Sequence, residues 1–302
     1  NVEKKNEYLT FLENKILPGL DMYYDMKRQP DAYASYINTA PLSDRFYDDN
    51  IWIGIDFVEL FLLTKDKRYL DRAELIWKFI ESGNDSVLGG GIYWCEQKKI
   101  SKNTCSNAPA VVFALKLYEA TKNEAYIEQG KKLYTWTKNN LQDTIDYLYY
   151  DNIKLDGSIG KTKYAYNSGQ MMQAGALLYK LTKQDEYLTE VRKIAASCYE
   201  FFFNGFQTEG RESFKLLKKG DVWFTAIMFR GFIELYHIDK DKEYITAFQK
   251  NLDYAWKYMR DENGLFNSDW SGQTKDKSKW LLSQLAMTEM YARISLVDLE
   301  RN

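Results

Sequence analysis

A phrase recurs four times along this chain and constrains its fold more than any single motif. Each copy reads Thr-Lys-polar, then two residues, then a Tyr that opens an amphipathic helix. The copies start at Thr64, Thr121, Thr182 and, in a weaker form, Asp239. Their tyrosines, Tyr69, Tyr126, Tyr187 and Tyr244, are spaced by 57, 61 and 57 residues. After each Tyr, small or apolar residues fall at +4, +7, +8 and +11, as in Ala73, Ile76, Trp77 and Ile80, or Val191, Ile194, Ala195 and Cys198. That spacing is one face of a helix. Only Asn251, in the fourth copy, departs from it. A repeat of this length holds two helices and a loop, and neighbouring repeats must pack to bury their faces.

Between the Tyr-led helices lies a second set, richer in Gly, Ala and apolar residues. It covers roughly 49–64, 104–121, 165–182, 221–238 and 279–297. A helix that is apolar nearly all round is a buried one. The Tyr-led helices, at roughly 67–82, 124–140, 185–203 and 242–260, carry a Lys/Glu-rich opposite face and are expected outside. With residues 5–25 as one more outer helix, the count is ten helices in five hairpins. The pattern predicts an all-α, (α/α)6-type toroid in one domain over residues 1–302. Such a ring has six hairpins, so the sixth would lie before residue 1 unless the N-terminal segment conceals it.

Composition then excludes whole classes of function. A net charge of -2 across 302 residues gives no attraction for nucleic acid or an anionic membrane, and no apolar run approaches the ~20 residues of a membrane span. A monomer is expected. Cys95, Cys105 and Cys198 are an odd set at no metal-ligand spacing, which points to unbridged buried thiols and leans toward a reducing, cytoplasmic setting. No leader peptide is evident; a chain trimmed after secretion is the alternative, since it begins without Met. The one histidine, His237, sits at the end of an apolar helix. Zinc sites, Ser-His-Asp triads and Cys-His dyads are thereby nearly excluded, and acid/base chemistry falls to carboxylates, Tyr or Lys.

The connections are unequal. Turns from inner to outer helices are two or three residues long, whereas the returns, about 84–103, 141–164, 204–220 and 261–278, are long. Long loops on a rigid scaffold are where function concentrates. Their aromatic residues (Tyr93, Trp94, Tyr149, Tyr150, Trp223, Trp270) suit a groove that stacks on sugar rings. At the start of the first inner helix stands Phe46-Tyr47-Asp48-Asp49-Asn50-Ile51-Trp52. One aspartate could simply cap this helix and the other favour its dipole. Two crowded carboxylates, however, repel, so one holds its proton to higher pH. Glycoside cleavage needs such a split pair, which retaining enzymes keep about 5–5.5 Å apart.

These residues resemble a known family. Tyr47-Asp48-Asp49-Asn50-Ile51-Trp52 is similar to the paired-aspartate motif of glycoside hydrolase family 76, the endo-α-1,6-mannanases. Gly89-Gly90-Gly91-Ile92-Tyr93-Trp94 resembles the family's Gly-Gly-Gly-Ile-Trp-Trp loop, and Lys102-Asn103-Thr104-Cys105-Ser106-Asn107 its Lys-Asn-x-x-x-Asn segment. Tyr150-Asp151 and Tyr164-Ala165-Tyr166-Asn167-Ser168-Gly169 resemble its Tyr-Asp and Tyr-Asn-Gln-Gly signatures. Ser168 stands in place of Gln, and Gln173 where a Gly is common. The matches are specific as an ordered set over roughly residues 46–240. The resemblance implies the toroid, a retaining mechanism with Asp48 as nucleophile and Asp49 as acid/base, and no metal or organic cofactor.

The expected partner is an α-mannoside oligo- or polysaccharide. Tyr47, Tyr93, Trp94, Asn103, Asn107, Asp151, Tyr166 and Asn167 are its expected contacts. Capping accounts for one of Asn103 and Asn107, and Asp151 could be an ordinary loop acid. The Gly89-Gly90-Gly91 run lacks the setting of a phosphate loop and reads as a tight turn letting backbone approach a ligand. Arg230, in mid-helix, reads as half of an internal ion pair. An exo-acting α-mannosidase or another glycan hydrolase on the same fold remains an alternative, as does a glycan-binding protein that cleaves nothing.

Overall fold

The computed structural model describes residues 2–208 and 213–299. Its first helical segment runs α1 (Val2–Phe11), a π-helical turn (Leu12–Ile16) and α2 (Leu17–Asp21). The strands β1 (Tyr24–Asp25) and β2 (Ala32–Tyr33) then pair antiparallel. Inner helices are α3 (Tyr47–Thr64), α5 (Thr104–Thr121), α7 (Ala165–Thr182), α9 (Val222–Asp239) and α11 (Leu281–Leu299). Outer helices are α4 (Lys67–Ser82), α6 (Glu124–Leu141), α8 (Asp185–Phe201) and α10 (Glu243–Tyr258). Short strands fill much of the long returns: β3 (Ser101–Asn103), β4 (Tyr150–Lys154), β5 (Ile159–Lys163), β6 (Phe203–Gln207) and β7 (Ser213–Leu217).

Beyond shifts of one to three residues at helix ends, the following differences between sequence and structure have a clear cause. The N-terminal helical segment stops at Asp21 rather than 25, because residues 24–25 enter a strand. Helix α8 stops at Phe201 rather than 203, because Phe203 begins β6. The 204–220 return is largely a β-hairpin, β6 with β7; its residues 209–212 lie outside the described residues.

The chain forms two compact units, one running to Trp136 and adding Asn152–Ser158, the other taking Thr137–Asp151 and continuing from Ile159. In the first, α3 packs against α4 and α5. In the second, α7 packs against α8 and α9, and α9 against α11. Gly169 and Gly231 allow the close α7–α9 crossing: a Cβ on Gly169 would lie 2.3 Å from the Met228 Cα. The +4, +7, +8 and +11 positions of the repeat are buried in α4, α8 and α10. Among the described residues no helix is long and apolar enough to cross a membrane.

The repeated phrase is a helix-to-helix turn. In three copies the Thr hydroxyl donates back to the carbonyl four residues earlier (Leu60, Leu117, Leu178, 2.7–2.8 Å). The same oxygen accepts the N–H of Asp66, Asn123 or Gln184. The following Lys65, Lys122, Lys183 and Lys240 take left-handed conformations with φ of 58–64°. Each ammonium lies 5.1–5.7 Å from the ring four residues back, Phe61, Tyr118, Tyr179 or Tyr236. A left-handed residue costs roughly 1–2 kcal/mol, and a cation–π contact of about 0.5–1 kcal/mol offsets part of that. Lysine therefore serves where glycine would be expected.

A second regularity ties the long returns to the inner helices. The fourth residue of α3 is Asn50, whose amide pairs with both backbone groups of Tyr33 (2.7 and 2.9 Å). The fourth residue of α5, Asn107, pairs in the same way with Ile92 (2.7 and 2.9 Å), and that of α11, Gln284, with Phe266 (2.8 and 2.9 Å). In α7 the position is Ser168, which accepts from the Tyr149 N–H at 3.0 Å. In α9 it is Thr225, bonded back to its own helix at Asp221. There Asn251 of α10 holds the return instead, through Leu217 N–H and Lys215 C=O. This accounts for the asparagine that departs from the Tyr-led pattern: buried backbone groups must be paired, and Asn251 pairs them.

Candidate active site

The start of α3 is fixed from beneath. Phe46 caps it in extended conformation with no side-chain bond, and the Tyr47 N–H donates to the Trp94 carbonyl at 3.0 Å. The carbonyl of Trp94 and the Phe46–Cys95 bridge lock the return loop to the helix start. Arg45 is wholly buried. Its guanidinium grips both Glu96 oxygens (2.7 and 2.5 Å) and the Pro30 carbonyl, and covers the Phe79 ring on which Tyr47 stacks at 4.6 Å.

On that base Asp48 and Asp49 occupy the first turn of α3. The Trp94 indole Nε1 donates to Asp48 Oδ2 at 3.1 Å, and the Cys105 thiol on α5 hydrogen-bonds the same carboxyl. Among the described residues Asp48 Oδ1 is buried without a hydrogen-bond partner. Burial, followed by the charge of Asp49, pushes the Asp48 pKa up to about 7 against the two side-chain donors. The positive end of α3 acts the other way, and burial wins. Asp49 stands more open to solvent, yet the protein around its carboxyl withdraws enough water to raise its pKa too. Two adjacent acids, both held above the usual range, can share a proton near neutrality. Trp94 is 38% exposed beside them, its ring 4.8 Å from Phe46. Its face is available for stacking while its N–H is spent on Asp48.

Three of the expected substrate contacts prove structural. Tyr47 is buried, its ring in the Phe79 stack and its hydroxyl bonded to Ser82. Tyr93 is buried and donates its hydroxyl to Asp85 at 2.9 Å. Asn107 is 0% exposed, and its amide is used up by Ile92 and the Asn103 carbonyl. The physical reason is shared: each side chain follows the helix or strand inward and finds its polar partner inside the protein. Asn103, also buried, accepts from the Ser101 hydroxyl at 2.7 Å. Tyr149 and Trp270, read as groove aromatics, are likewise in the core.

The glycine run forms the expected tight turn, with positive φ at Gly89, Gly90 and Gly91. Gly91, at φ 84°, lies against the Trp136 ring, where a Cβ would come within 2.5 Å. Trp136 Nε1 holds the Leu88 carbonyl at 2.9 Å. The buried Lys102 ammonium bonds Asp85 and the Val87 and Gly90 carbonyls at 2.6–2.8 Å. At Gly90 and Gly91 the backbone approaches a tryptophan. Sequence reasoning assigned no role at the site to Arg45, Lys102, Trp136 or Cys105; for Lys102 and Cys105 the signal was their place inside the 102–107 segment.

The second unit carries the remaining expected contacts. Tyr166, half-buried at the start of α7, stacks on Phe224 at 4.1 Å beside Trp223 and Tyr164. Asn167 is wholly buried, and neither end of its amide finds a hydrogen-bond partner among the described residues. Asp151 is half-buried in β4. Arg230 forms its ion pair, with Glu289 at 2.6 and 2.8 Å, and all three cysteines are buried and unbridged.

Asn107→Ala tests the loop-holding role directly. It would strand the Ile92 N–H and C=O and the Asn103 C=O. Buried unpaired groups cost about 1–3 kcal/mol each, and relaxation should bring the total to roughly 3 kcal/mol. Urea denaturation measures it; a loss below about 0.5 kcal/mol, within the range of ordinary surface substitutions, would refute the role.

The Glycosyl hydrolase family 76 model matches residues 7–296, through both units. A solved family 76 mannosidase from Bacteroides thetaiotaomicron is 37% identical, covering 98% of this chain and 82% of that one at a TM-score of 0.91. This likeness bears out the all-α toroid class. An α-1,6-mannanase from Salegentibacter sp. HEL1_6 is 31% identical over 83% of this chain and 76% of its own, at a TM-score of 0.73. The mannan endo-1,6-alpha-mannosidase of Saccharomyces cerevisiae is 29% identical over 126 residues, which span 28% of that protein, so this chain matches well under half of it. By this span and this ordered likeness, the chain belongs to glycoside hydrolase family 76.

Proposed function

We propose that the protein is a retaining endo-α-1,6-mannanase, with both units acting as one monomeric catalytic domain. The observation that carries this reading is the electrostatically coupled Asp48–Asp49 pair at the start of α3, both carboxyls raised, next to the exposed face of Trp94. In the first step Asp48 attacks the anomeric carbon while Asp49 gives its proton to the departing glycosidic oxygen. The sugar is then ester-linked to Asp48. In the second, Asp49 takes a proton from water, which displaces Asp48 and restores both groups. This mechanism requires the proton of the coupled pair to sit on Asp49 and Asp48 to be the anion when the glycosidic bond breaks.

Trp94 supplies a stacking face for a pyranose ring. In the second unit, Tyr166 and Asp151 are the proposed further contacts. So is Asn167, whose unpartnered amide would recover about 1–3 kcal/mol on meeting a hydroxyl. The substrate class draws support from relatives: one solved structure is an inactive variant of the Salegentibacter α-1,6-mannanase, changed at two adjacent aspartates to Ala, in complex with α-1,6-mannotetrose. Family 76 membership favours cleavage over mere binding.

Incubation with α-1,6-mannan, followed by chromatography of the products, tests the reading. Mixed oligosaccharides are expected early. Mannose alone would replace it with exo action. Tight binding in a calorimeter with no new reducing ends would make the protein a glycan-binding module.

A further inference from the structure

Asp48 meets three neighbours of distinct chemistry. Asp49 is on its own helix, Trp94 on the return loop and Cys105 in the first turn of α5. Of these, Asp49 and Cys105 are titratable. The indole N–H is directed to Oδ2, and Oδ1 accepts nothing among the described residues. Cys105 is 4% exposed and sits in no disulfide. The carboxyl of Asp49, by contrast, is raised by burial with no hydrogen-bond donor acting against it among the described residues. The pair is thus asymmetric in its donors: one carboxylate is held, its neighbour is not.

We propose that Cys105 is a positioning residue for glycoside cleavage, its thiol acting with the Trp94 indole to hold the Asp48 carboxylate so that one oxygen is fixed and the other is kept for the anomeric carbon. The proposal rests on Asp48 being the nucleophile. Its logic is that of any carboxylate that must attack as an anion: donors favour the ionised form and fix its rotamer. A thiol donates weakly. It can steady the anion without binding it so firmly that nucleophilicity is lost. A hydroxyl or ammonium in the same place would stabilise the charge more strongly in the ground state than in the transition state, where that charge is being neutralised.

Cys105→Ala and Cys105→Ser are nearly equal in size, so the pair separates loss of a donor from loss of volume. Carboxyl ¹³C titration of aspartate-labelled protein, with the Asp48 signal assigned by its absence in Asp48→Asn, follows the carboxylate without substrate. In Cys105→Ala the Asp48 midpoint is expected to rise by roughly half to one pH unit. The acidic limb of kcat/KM should move with it, and kcat should fall roughly tenfold. Cys105→Ser is expected at or below the wild-type midpoint, or between the two. An unchanged Asp48 midpoint in folded Cys105→Ala overturns the proposal whatever the activity. If the midpoints move as expected but wild-type protein leaves α-1,6-mannan uncut, the mannanase reading falls and the positioning of Asp48 stands.

Discussion

Asp48→Asn and Asp49→Asn are each expected to lose at least ~10³-fold in kcat on α-1,6-mannan while remaining folded, since general acid–base catalysis contributes typically 10²–10⁴-fold and a lost nucleophile more. Substrate chemistry separates the two. On an aryl α-1,6-mannobioside with a good leaving group, the first step needs no acid. Asp49→Asn should therefore recover most of that step, and added azide should restore turnover by replacing the base-activated water, giving a mannobiosyl azide of retained configuration. Asp48→Asn has lost the attacking oxygen, and neither change of leaving group nor azide should restore that route. Equal recovery of both variants would exchange or dissolve the assigned roles. Near-normal cleavage of mannan by either would end the two-carboxylate mechanism.

The helices were legible in the sequence because their signal repeats. Three expected inner or outer helices, 104–121, 165–182 and 67–82, coincide with α5, α7 and α4. The Thr-Lys phrase fixes where inner helices end, since the Thr hydroxyl and the left-handed Lys act within five residues. The site was less legible, and the failures have one cause. At a helix start, a side chain's direction changes by about 100° per residue, so Asp48, Asp49 and Asn50 point to three different surroundings. Sequence gave them one motif. Tyrosine compounds this, being apolar in body and polar at the tip: Tyr47 and Tyr93 satisfy their hydroxyls on Ser82 and Asp85 inside the protein. The fourth-residue pairing of Asn50, Asn107, Ser168 and Gln284 with the returns could have been read from the alignment of inner helices with one another. It places Ser168, the apparent departure from the family pattern, in a loop-holding role.

The same geometry makes the intact site a source of instability at neutral pH. Asp48→Asn is expected to be more stable than wild type there. The sign follows from proton counts. The folded-state pKa of Asp48, about 7, lies above the usual 3.8. Between these values the folded protein binds the proton and the unfolded chain does not, so stability falls as pH rises. The loss is complete above about 7 and absent below about 4. At about 1.4 kcal/mol per pH unit, the span of roughly three pH units is worth at most ~4 kcal/mol. Asparagine carries no charge and escapes the penalty. It cannot gain the whole amount: its oxygen can face the Trp94 N–H, but its NH2 then takes the place of Oδ1, which has no partner among the described residues. A net gain of about 2 kcal/mol at pH 8, turning into a net loss of about the same size at pH 4 where the protonated aspartate carries no penalty, is therefore expected. Urea denaturation of both proteins across that range measures it. A pH-independent difference, or a wild type more stable at pH 8, would show that Asp48 ionises without cost and that burial does not set its proton affinity. The expected result would mean that the fold tolerates a poorly solvated acid where a reaction needs one, a cost that selection for stability alone would remove.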